Sequence, residues 1–366
     1  MTKYWKLKPI RPDDGHQEIF QVQSSNEAII EKAATLLKNG QTVAFPTETV
    51  YGLGADAGDT NAVKLIFEAK GRPSDNPLIV HIADTAQLKG IIRNEAITPD
   101  IQALMKAFWP GPLTIVLPVE TGGISPLVTA GLPTVGVRIP DHPVALSLLR
   151  AVNRPIAGPS ANRSGKPSPT LASHVREDLD GLIGGVLDGG QSGVGLESTV
   201  IQCQNNEIFI LRPGGVTAEQ MHQILPNAHI HQPQQEALPS FEAPISPGTK
   251  YTHYAPKGLM QLIVGNSHKQ VVAWIQKDID AAKKRGETTG VLTFEEYHTL
   301  YQADMVISCG KLSEPETIAK SLYSALRSFD EAKITYILAE SCSKEGIGLA
   351  IMNRLSRASG HRIIHI

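Results

Sequence analysis

Short loops rich in glycine and proline carry most of the side chains in this sequence that could do chemistry. One loop, 70–77 (KGRPSDNP), places two cations two positions apart. Four others, each beside a predicted strand, are 46–54, 157–162, 195–199 and 211–215. Loops at the strand ends of α/β sheets converge on one crevice, so we expect their cations and hydroxyl groups to meet in a pocket that suits a polyanion. The side chains concerned are Lys70, Arg72, Arg138, Arg212, Thr49, Ser160, Asn162 and Ser198.

The segment 70–77 also has a purely structural interpretation. Gly71 would be a helix C-cap and Pro73 a helix stop, while Lys70 and Arg72 would favour the negative end of the helix dipole. Taken alone, this interpretation is the stronger one. The accumulation of similar loops is what favours a binding site.

An array of cations and neutral donors suits phosphoryl or nucleotidyl transfer, because positioning and charge stabilisation there replace a covalent nucleophile. Ser160 does not lie in the GxSxG sequence of serine hydrolases. The histidines form no HExxH pair, which disfavours catalytic zinc. Segment 160–167 departs from the GxxxxGK[ST] phosphate loop. Residues 52–57 fit GxGxx[GA], but Pro46 interrupts the strand before them, so we do not expect a dinucleotide site.

Length and composition indicate a globular protein of two domains. The chain has 366 residues, 41% hydrophobic and 19% charged, which is too long for one ordinary core. A net charge of -2 disfavours broad binding to nucleic acid or anionic membranes. Three scattered cysteines build neither a disulfide framework nor a CxxC zinc site, and no apolar run is long enough to span a membrane. We expect a cytoplasmic protein without a membrane partner.

Hydrophobic periodicity and turn residues predict an α/β fold in two parts. In 24–224, helices and strands alternate with short turns, which indicates a mixed sheet with antiparallel parts. Residues 225–258 are rich in proline, glutamine and histidine, which is typical of a linker. In 259–366, strands and helices alternate in a smaller Rossmann-like unit without a GxGxxG fingerprint.

Several motifs, in this order, resemble the YrdC-type threonylcarbamoyl-AMP synthases. They are PTETVYGLG (46–54), KGRPSDNPLIVHI (70–82), GPSANRSGKPSPT (158–170), LESTVI (196–201), ILRPGG (210–215) and SPGTKYTHYAP (246–256). The C-terminal part, with GIGLAIMNRLSRAS near its end, is similar to the long form of that family. The resemblance covers nearly the whole chain. It implies a YrdC-like twisted mixed sheet followed by a Rossmann-like C-terminal domain.

The resemblance implies that the protein joins L-threonine, bicarbonate or CO2, and ATP into threonylcarbamoyl-AMP and pyrophosphate, with Mg2+ expected beside ATP. The product would supply N6-threonylcarbamoyladenosine in tRNA through a downstream tRNA threonylcarbamoyl transferase complex. The family's Lys-x-Arg and Ser-x-Asn pairs, the implied catalytic set, are matched by Lys70, Arg72, Ser160 and Asn162. The implied ATP side contains Lys70, Arg72, Asn76, Thr134, Asn162, Thr170 and Arg212. The implied threonine side contains Thr49, His81, Arg138, Ser160 and Ser198, with Arg138 as partner of the carboxylate.

The linker motif of this family folds back over the nucleotide, which makes Tyr251 or Tyr254 an implied ATP contact. Thr249 and Thr252 stand where the family usually has Met and Arg, a departure that bears on how firmly the lid closes. For the C-terminal domain we consider three roles: supporting the lid, regulation and dimerisation.

Two other functions fit parts of this pattern. A double-stranded-RNA or tRNA-binding module without catalysis would use the concave basic face of YrdC-type domains, and weak tRNA binding is compatible with the enzyme as well. The net charge of -2 counts against this alternative. A hydrogenase-maturation carbamoyl transferase would need cysteine-rich zinc modules, which three scattered cysteines exclude.

Overall fold

The computed structural model describes residues 1–7, 24–204, 207–233 and 254–366. The chain divides into two compact units. The first comprises Met1–Ser164, Pro169–Gly193 and Glu197–Lys250. The second comprises Tyr251–Ile366 together with two short segments, Gly165–Ser168 and Val194–Leu196. No helix among the described residues is both long enough and apolar enough to cross a membrane.

The first unit is built on one mixed sheet. Its strands are β1 Lys3–Lys6, β2 Val43–Phe45, β3 Gly52–Asp56, β4 Ile79–His81, β5 Leu113–Pro118, β6 Thr134–Arg138, β7 Ile156–Ala157, β8 Gly185–Asp188, β9 Thr199–Gln204, β10 Glu207–Arg212 and β11 His229–His231. These eleven strands lie in the order β1-β8-β2-β3-β7-β4-β6-β5-β9-β10-β11. Strand β6 is parallel to β4 and antiparallel to β5, so the predicted mixed sheet is confirmed.

Helices cover the sheet of the first unit. They are α1 Ser24–Lys38, α2 Thr60–Lys70, α3 Pro99–Phe108, α4 Pro126–Thr129, α5 Pro143–Val152, α6 Ala172–Leu179 and α7 Ala218–Ile224. Helix α2 has clear signals at both ends. The Asp59 carboxylate accepts hydrogen bonds from the backbone of Asn61 and Ala62, and Gly71 ends the helix at φ 59 in the left-handed region. These ends fix Lys70 in the last turn.

The two faces of the central strands have different roles. Along β6, Val135 and Val137 belong to the large core, so Gly136 and Arg138 point to the opposite face. On β4, Val80 belongs to the same large core. A separate small apolar cluster of Ile79, Val116, Val200 and Leu211, with Phe209 against it, lies on the other side of these strands. Arg138, a predicted functional residue, therefore lies on a face that is only partly apolar.

The second unit is a parallel five-stranded sheet with helices. Its strands are β12 Leu259–Val264, β13 Thr289–Thr293, β14 Met305–Ser308, β15 Tyr336–Glu340 and β16 Ile363–His365, in the order β14-β13-β15-β12-β16. Its helices are α8 His268–Lys284, α9 Pro315–Glu331 and α10 Gly348–Ala358. All four strand pairs are parallel, which confirms the predicted Rossmann-like architecture.

Two segments differ from the sequence-based expectation. The predicted loop 46–54 is a loop only in its first part, because Gly52–Asp56 forms β3 in an antiparallel pair with β2. A side chain at Gly54 would lie 2.9 Å from Phe45 and from Ile156, so the glycine permits close strand packing. Strand β11 lies within 225–258, the segment expected as linker, and pairs in parallel with β10.

Candidate active site

The amine of Lys70 connects the end of helix α2 to the loop that carries Ser160 and Asn162. Its Nζ donates to the carbonyl oxygen of Ser160 at 2.5 Å and to that of Asn162 at 2.6 Å. The Lys70 carbonyl accepts a hydrogen bond from the backbone of Ser164. Lys70 is only 2% exposed. The residue therefore holds the loop in place, a role that its spacing from Arg72 did not predict.

The Ser-x-Asn pair is itself a hydrogen-bonded unit. Ser160 Oγ donates to Asn162 Oδ1 at 2.6 Å, and the Asn162 amide donates to the carbonyl of Arg163 at 2.8 Å. On the other side, the Ala161 backbone N–H donates to the carbonyl of Tyr51. Asn162 is buried and Ser160 is half-buried. The loop thus presents the serine from a fixed backbone.

Lys70 lies in an environment that disfavours its charge. Burial, and then the neighbouring Arg72 cation, hold the pKa of Lys70 well below its usual range. Asp178 and Glu197 oppose this shift. An anionic ligand brought close to the amine would raise the pKa of Lys70 again.

Arg72 lies across its own loop. Its NH2 nitrogen donates to the carbonyl oxygens of Pro77 at 3.2 Å and Asn76 at 3.4 Å. The guanidinium is half-buried, whereas Asn76 is 1% exposed. The structure therefore brings together two residues that were predicted on the ATP side.

Arg138 is the centre of a second buried polar cluster. Its NH1 nitrogen donates to Thr49 Oγ1 at 3.0 Å, and its NH2 nitrogen lies 3.5 Å from a carboxylate oxygen of Glu48. Thr49 Oγ1 also lies 2.8 Å from Thr47 Oγ1. Burial raises the pKa of Glu48, although Arg138 opposes the shift. Because arginine keeps its proton in proteins, this cluster holds a buried cation beside hydroxyl groups.

His81 lies beside Arg138 and links the two clusters. The two residues are partners in the parallel β4–β6 register. Burial, followed by the Arg138 cation, holds the pKa of His81 well below its usual value, so the ring is neutral. A Cβ atom at Gly158 would lie 2.8 Å from His81 Nδ1, so only glycine fits against this ring. Only one proline separates Gly158 from Ser160. The loop 158–162, which Lys70 holds, therefore also borders His81.

Ser198 and Arg212 are in direct contact. Arg212 Nε and NH2 donate to the Ser198 carbonyl oxygen at 3.2 and 2.9 Å, and NH2 also donates to Ser198 Oγ at 3.2 Å. A Cβ atom at Gly214 would lie 2.3 Å from the backbone nitrogen of Thr199, so the RPGG turn needs glycine to approach this segment. A residue of the predicted threonine side thus touches one of the predicted ATP side.

The remaining predicted residues occupy other positions. Thr134 begins β6, the strand that Arg138 ends, so the two lie at opposite ends of one strand. Thr170 is fully buried, and its backbone N–H donates to His174 Nδ1 at 3.3 Å. In the second unit, Tyr254 is 4% exposed; its ring centroid lies 5.2 Å from that of Tyr323, and the Arg354 guanidinium lies 5.6 Å above it. Tyr251, Thr249 and Thr252 lie outside the described residues.

Comparisons with known proteins agree over both units. Residues 35–214 match the Sua5/YciO/YrdC family model, described as telomere recombination, and residues 216–360 match the threonylcarbamoyl-AMP synthase C-terminal domain. A threonylcarbamoyl-AMP synthase of Bacillus subtilis is 52% identical over 93% of this chain and 96% of its own length. That of Pyrococcus abyssi is 46% identical over 92% and 96%. The crystal structure of P. abyssi Sua5 complexed with L-threonine superposes with a TM-score of 0.86 at 42% identity, covering 100% of this chain and 99% of that one.

The fold and these matches define an α/β protein of the Sua5/YciO/YrdC type. The chain belongs to the threonylcarbamoyl-AMP synthase family, in the form that carries the C-terminal domain. The resemblance found in the motifs is thereby confirmed.

Sequence reasoning missed two polar residues of this region, Glu48 and Thr114. Glu48 is the only acidic residue of the loop 46–54, next to Thr49, and that position was its signal. Thr114 is the one hydroxyl residue in the apolar strand LTIVLP. A buried polar side chain in such a strand indicates a specific hydrogen-bond partner.

Proposed function

We propose that this protein makes L-threonylcarbamoyladenylate from L-threonine, bicarbonate or CO2, and ATP, with release of pyrophosphate. In the cytoplasm, a downstream tRNA threonylcarbamoyl transferase complex would use the product for N6-threonylcarbamoyladenosine modification of tRNA. The proposal is carried by one observation: the loop 158–162 borders the His81 and Arg138 cluster at its start and the Lys70 amine at its end. This juxtaposition supports an amino-acid site directly beside a phosphate site.

The Arg138 cluster suits the amino acid. A buried guanidinium binds a carboxylate through short charge-assisted hydrogen bonds, and such bonds are stronger than neutral ones. Thr49 and Ser198 offer hydroxyl groups, and neutral His81 does not add a second cation beside the amine of threonine. The crystal structure of P. abyssi Sua5 complexed with L-threonine supports L-threonine as a ligand of this chain.

The cations of the other cluster suit the triphosphate. Arg72 and Lys70 would neutralise the phosphates and the charge that develops on pyrophosphate. Asn162, whose carbonyl oxygen accepts from Lys70 Nζ, and Arg212, at the end of β10, are assigned to the same proposed ATP side. Asn76, Thr134 and Thr170 complete the proposed ATP side. Mg2+ would enter bound to the phosphates of ATP, as is usual for this ion at nucleotide sites.

The proposed reaction has two bond-forming steps. The neutral amine of threonine attacks the carbon of CO2, a nitrogen–carbon bond forms while one C=O π bond gives its electrons to oxygen, and the nitrogen passes a proton to water to give a carbamate. A carbamate oxygen then attacks the α-phosphorus of ATP, and the bond to the bridging oxygen breaks with its electron pair leaving on pyrophosphate. The carbamate is already an anion, so the second step needs orientation and charge neutralisation rather than a side-chain base.

The test is a pyrophosphate-release assay with the full chain. We expect release to require threonine, bicarbonate and ATP together, and the product to carry threonine, one carbon from bicarbonate and AMP by mass spectrometry. Release that continues without threonine or bicarbonate would contradict the proposal. A strongly salt-dependent shift of tRNA without any turnover would instead favour the binding-module alternative.

A further inference from the structure

Thr114 places a hydroxyl group in the middle of an apolar strand. The residue is 0% exposed, and its Oγ1 lies 2.8 Å from Ser198 Oγ. Burying a hydroxyl group is unfavourable unless it is hydrogen-bonded. The contact with Ser198 therefore explains why a threonine is stable at this position.

The surroundings of Thr114 fix its rotamer. A Cβ atom at Gly136 would lie 3.0 Å from the Thr114 methyl carbon, so the absent side chain of Gly136 leaves the space that the methyl group fills. Threonine has few favourable χ1 rotamers. With the methyl group packed on β6, the hydroxyl group is directed to Ser198.

Thr114 also lies on the functional face of the sheet. Ile115 on β5 and Val137 on β6 are register partners, and both belong to the large core. Because side chains alternate along a strand, Thr114 and Arg138 face the opposite side. The hydroxyl pair of Thr114 and Ser198 is thus on the same side of the sheet as the proposed partner of the threonine carboxylate.

A count of protons shows what each direction of this hydrogen bond would mean for a ligand. Ser198 Oγ already accepts from Arg212 NH2, and a hydroxyl group has one proton and two acceptor positions. If Thr114 is the second donor, the Ser198 proton stays available for an anionic ligand. If Ser198 donates to Thr114 instead, no proton is left for the ligand.

We infer that Thr114 is a positioning residue for the amino-acid substrate, which donates to Ser198 and thereby aims the Ser198 O–H at the substrate carboxylate. This inference rests on the proposed function. Thr114 acts through Ser198 and does not touch the substrate itself.

The primary test compares Thr114→Val with Thr114→Ser. Valine keeps the shape and removes the hydroxyl group, whereas serine keeps the hydroxyl group. We expect Thr114→Val to raise KM for threonine by ~3- to 10-fold, the effect of about one hydrogen bond, with KM for ATP changed by less than ~2-fold. Thr114→Ser should have a KM for threonine closer to the wild type than that of Thr114→Val. Equal changes in the KM values for threonine and ATP, or a KM for threonine as high in Thr114→Ser as in Thr114→Val, would show a packing role and overturn the inference.

A double-mutant cycle with Ser198→Ala tests whether Thr114 acts through Ser198. If it does, Thr114→Val should add no further increase in KM for threonine in the Ser198→Ala background. Additive effects would overturn the inference. Thr114→Ala replaces the valine variant if urea unfolding shows that the latter does not fold. If the wild-type protein shows no threonine-dependent turnover, the proposed function is wrong. If the wild type is active and Thr114→Val has the same KM for threonine, only this inference is wrong.

Discussion

The side-chain nitrogen of Lys70 lies 2.6 Å from the carbonyl oxygen of Asn162, 92 positions further along the chain. This contact joins the end of helix α2 to the loop 158–162. From the sequence, only the family resemblance indicated that these two segments lie together. An amine has at least two N–H donors in either protonation state. The Lys70 amine can therefore hold both carbonyls of the loop before a ligand arrives.

We predict that ATP binding is coupled to proton uptake at Lys70. Burial lowers the pKa of Lys70 in the free protein, and the triphosphate would raise it, so the complex should bind more protons than its components at pH values between the two pKa values. Calorimetry in two buffers with different ionisation enthalpies measures this uptake. Lys70→Arg is the control, because arginine stays charged throughout and should lower the proton uptake by the Lys70 contribution. Identical enthalpies in both buffers for the wild type would contradict the prediction.

Glu48→Gln should weaken threonine binding selectively. The glutamate carboxylate lies 3.5 Å from the Arg138 guanidinium with both groups buried, and an amide holds that cation less firmly. We expect KM for threonine to rise ~10-fold and KM for ATP to stay near its wild-type value, as a loss of ~1.5–3 kcal/mol in a charged contact allows. Glu120→Gln, at an exposed position, is the control. A lower KM for threonine would show that Glu48 competes with the substrate for Arg138.

Gly214→Ala should disturb the position of Ser198. The new methyl group would lie 2.4 Å from the carbonyl oxygen of Glu197 and from the carbonyl carbon of Ser198, so this backbone must move. Overpacking of this kind costs ~1–3 kcal/mol. We expect kcat/KM for threonine to fall ~10-fold or more. Gly193→Ala, whose nearest neighbour would be 3.9 Å away, should behave as wild type, and equal losses in both variants would argue against a local effect.

The stability of the protein should fall in mild acid because of His142. This residue caps helix α5, and burial lowers its pKa from 6.5 to about 4. Unfolded chains take up the proton below pH 6.5 while the folded protein resists until about pH 4, so stability is lost as pH falls through that window. The contribution is ~3 kcal/mol. Urea unfolding at several pH values should show a smaller loss for His142→Asn, which keeps a capping side chain, than for the wild type; His222→Asn, at an exposed position, should not differ from the wild type.

Local signals predicted some elements well. The helix ending at Lys70 follows from an Asp cap and a terminal Gly, and the structural interpretation of Gly71 as a C-cap is confirmed. In the same segment, Lys70 donates hydrogen bonds to the loop 158–162. The structural interpretation and the binding-site interpretation of residues 70–77 are therefore compatible. The alternating strands and helices of the second unit were predictable because their hydrophobic periodicity is regular.

Long-range contacts set the limits of prediction. Residues 52–54 were expected as loop because their glycines weaken a strand locally, but Phe45 and Ile156 need those glycines for close packing. Glu48 was missed because its importance depends on Arg138, which follows 90 positions later. The hydrogen bonds from Lys70 to backbone carbonyls could not be predicted from the spacing of cations, because every residue type has a backbone carbonyl group.

The alternation of side chains along β6 has a consequence for how this strand can vary. One set of residues, Val135 and Val137, fills the interior, and the intervening Gly136 and Arg138 face the other side. Inserting or deleting a single residue would exchange the two sets, burying a cation among hydrocarbon groups and exposing valines to the ligand. Natural variation in this strand should therefore be confined to replacements at constant length.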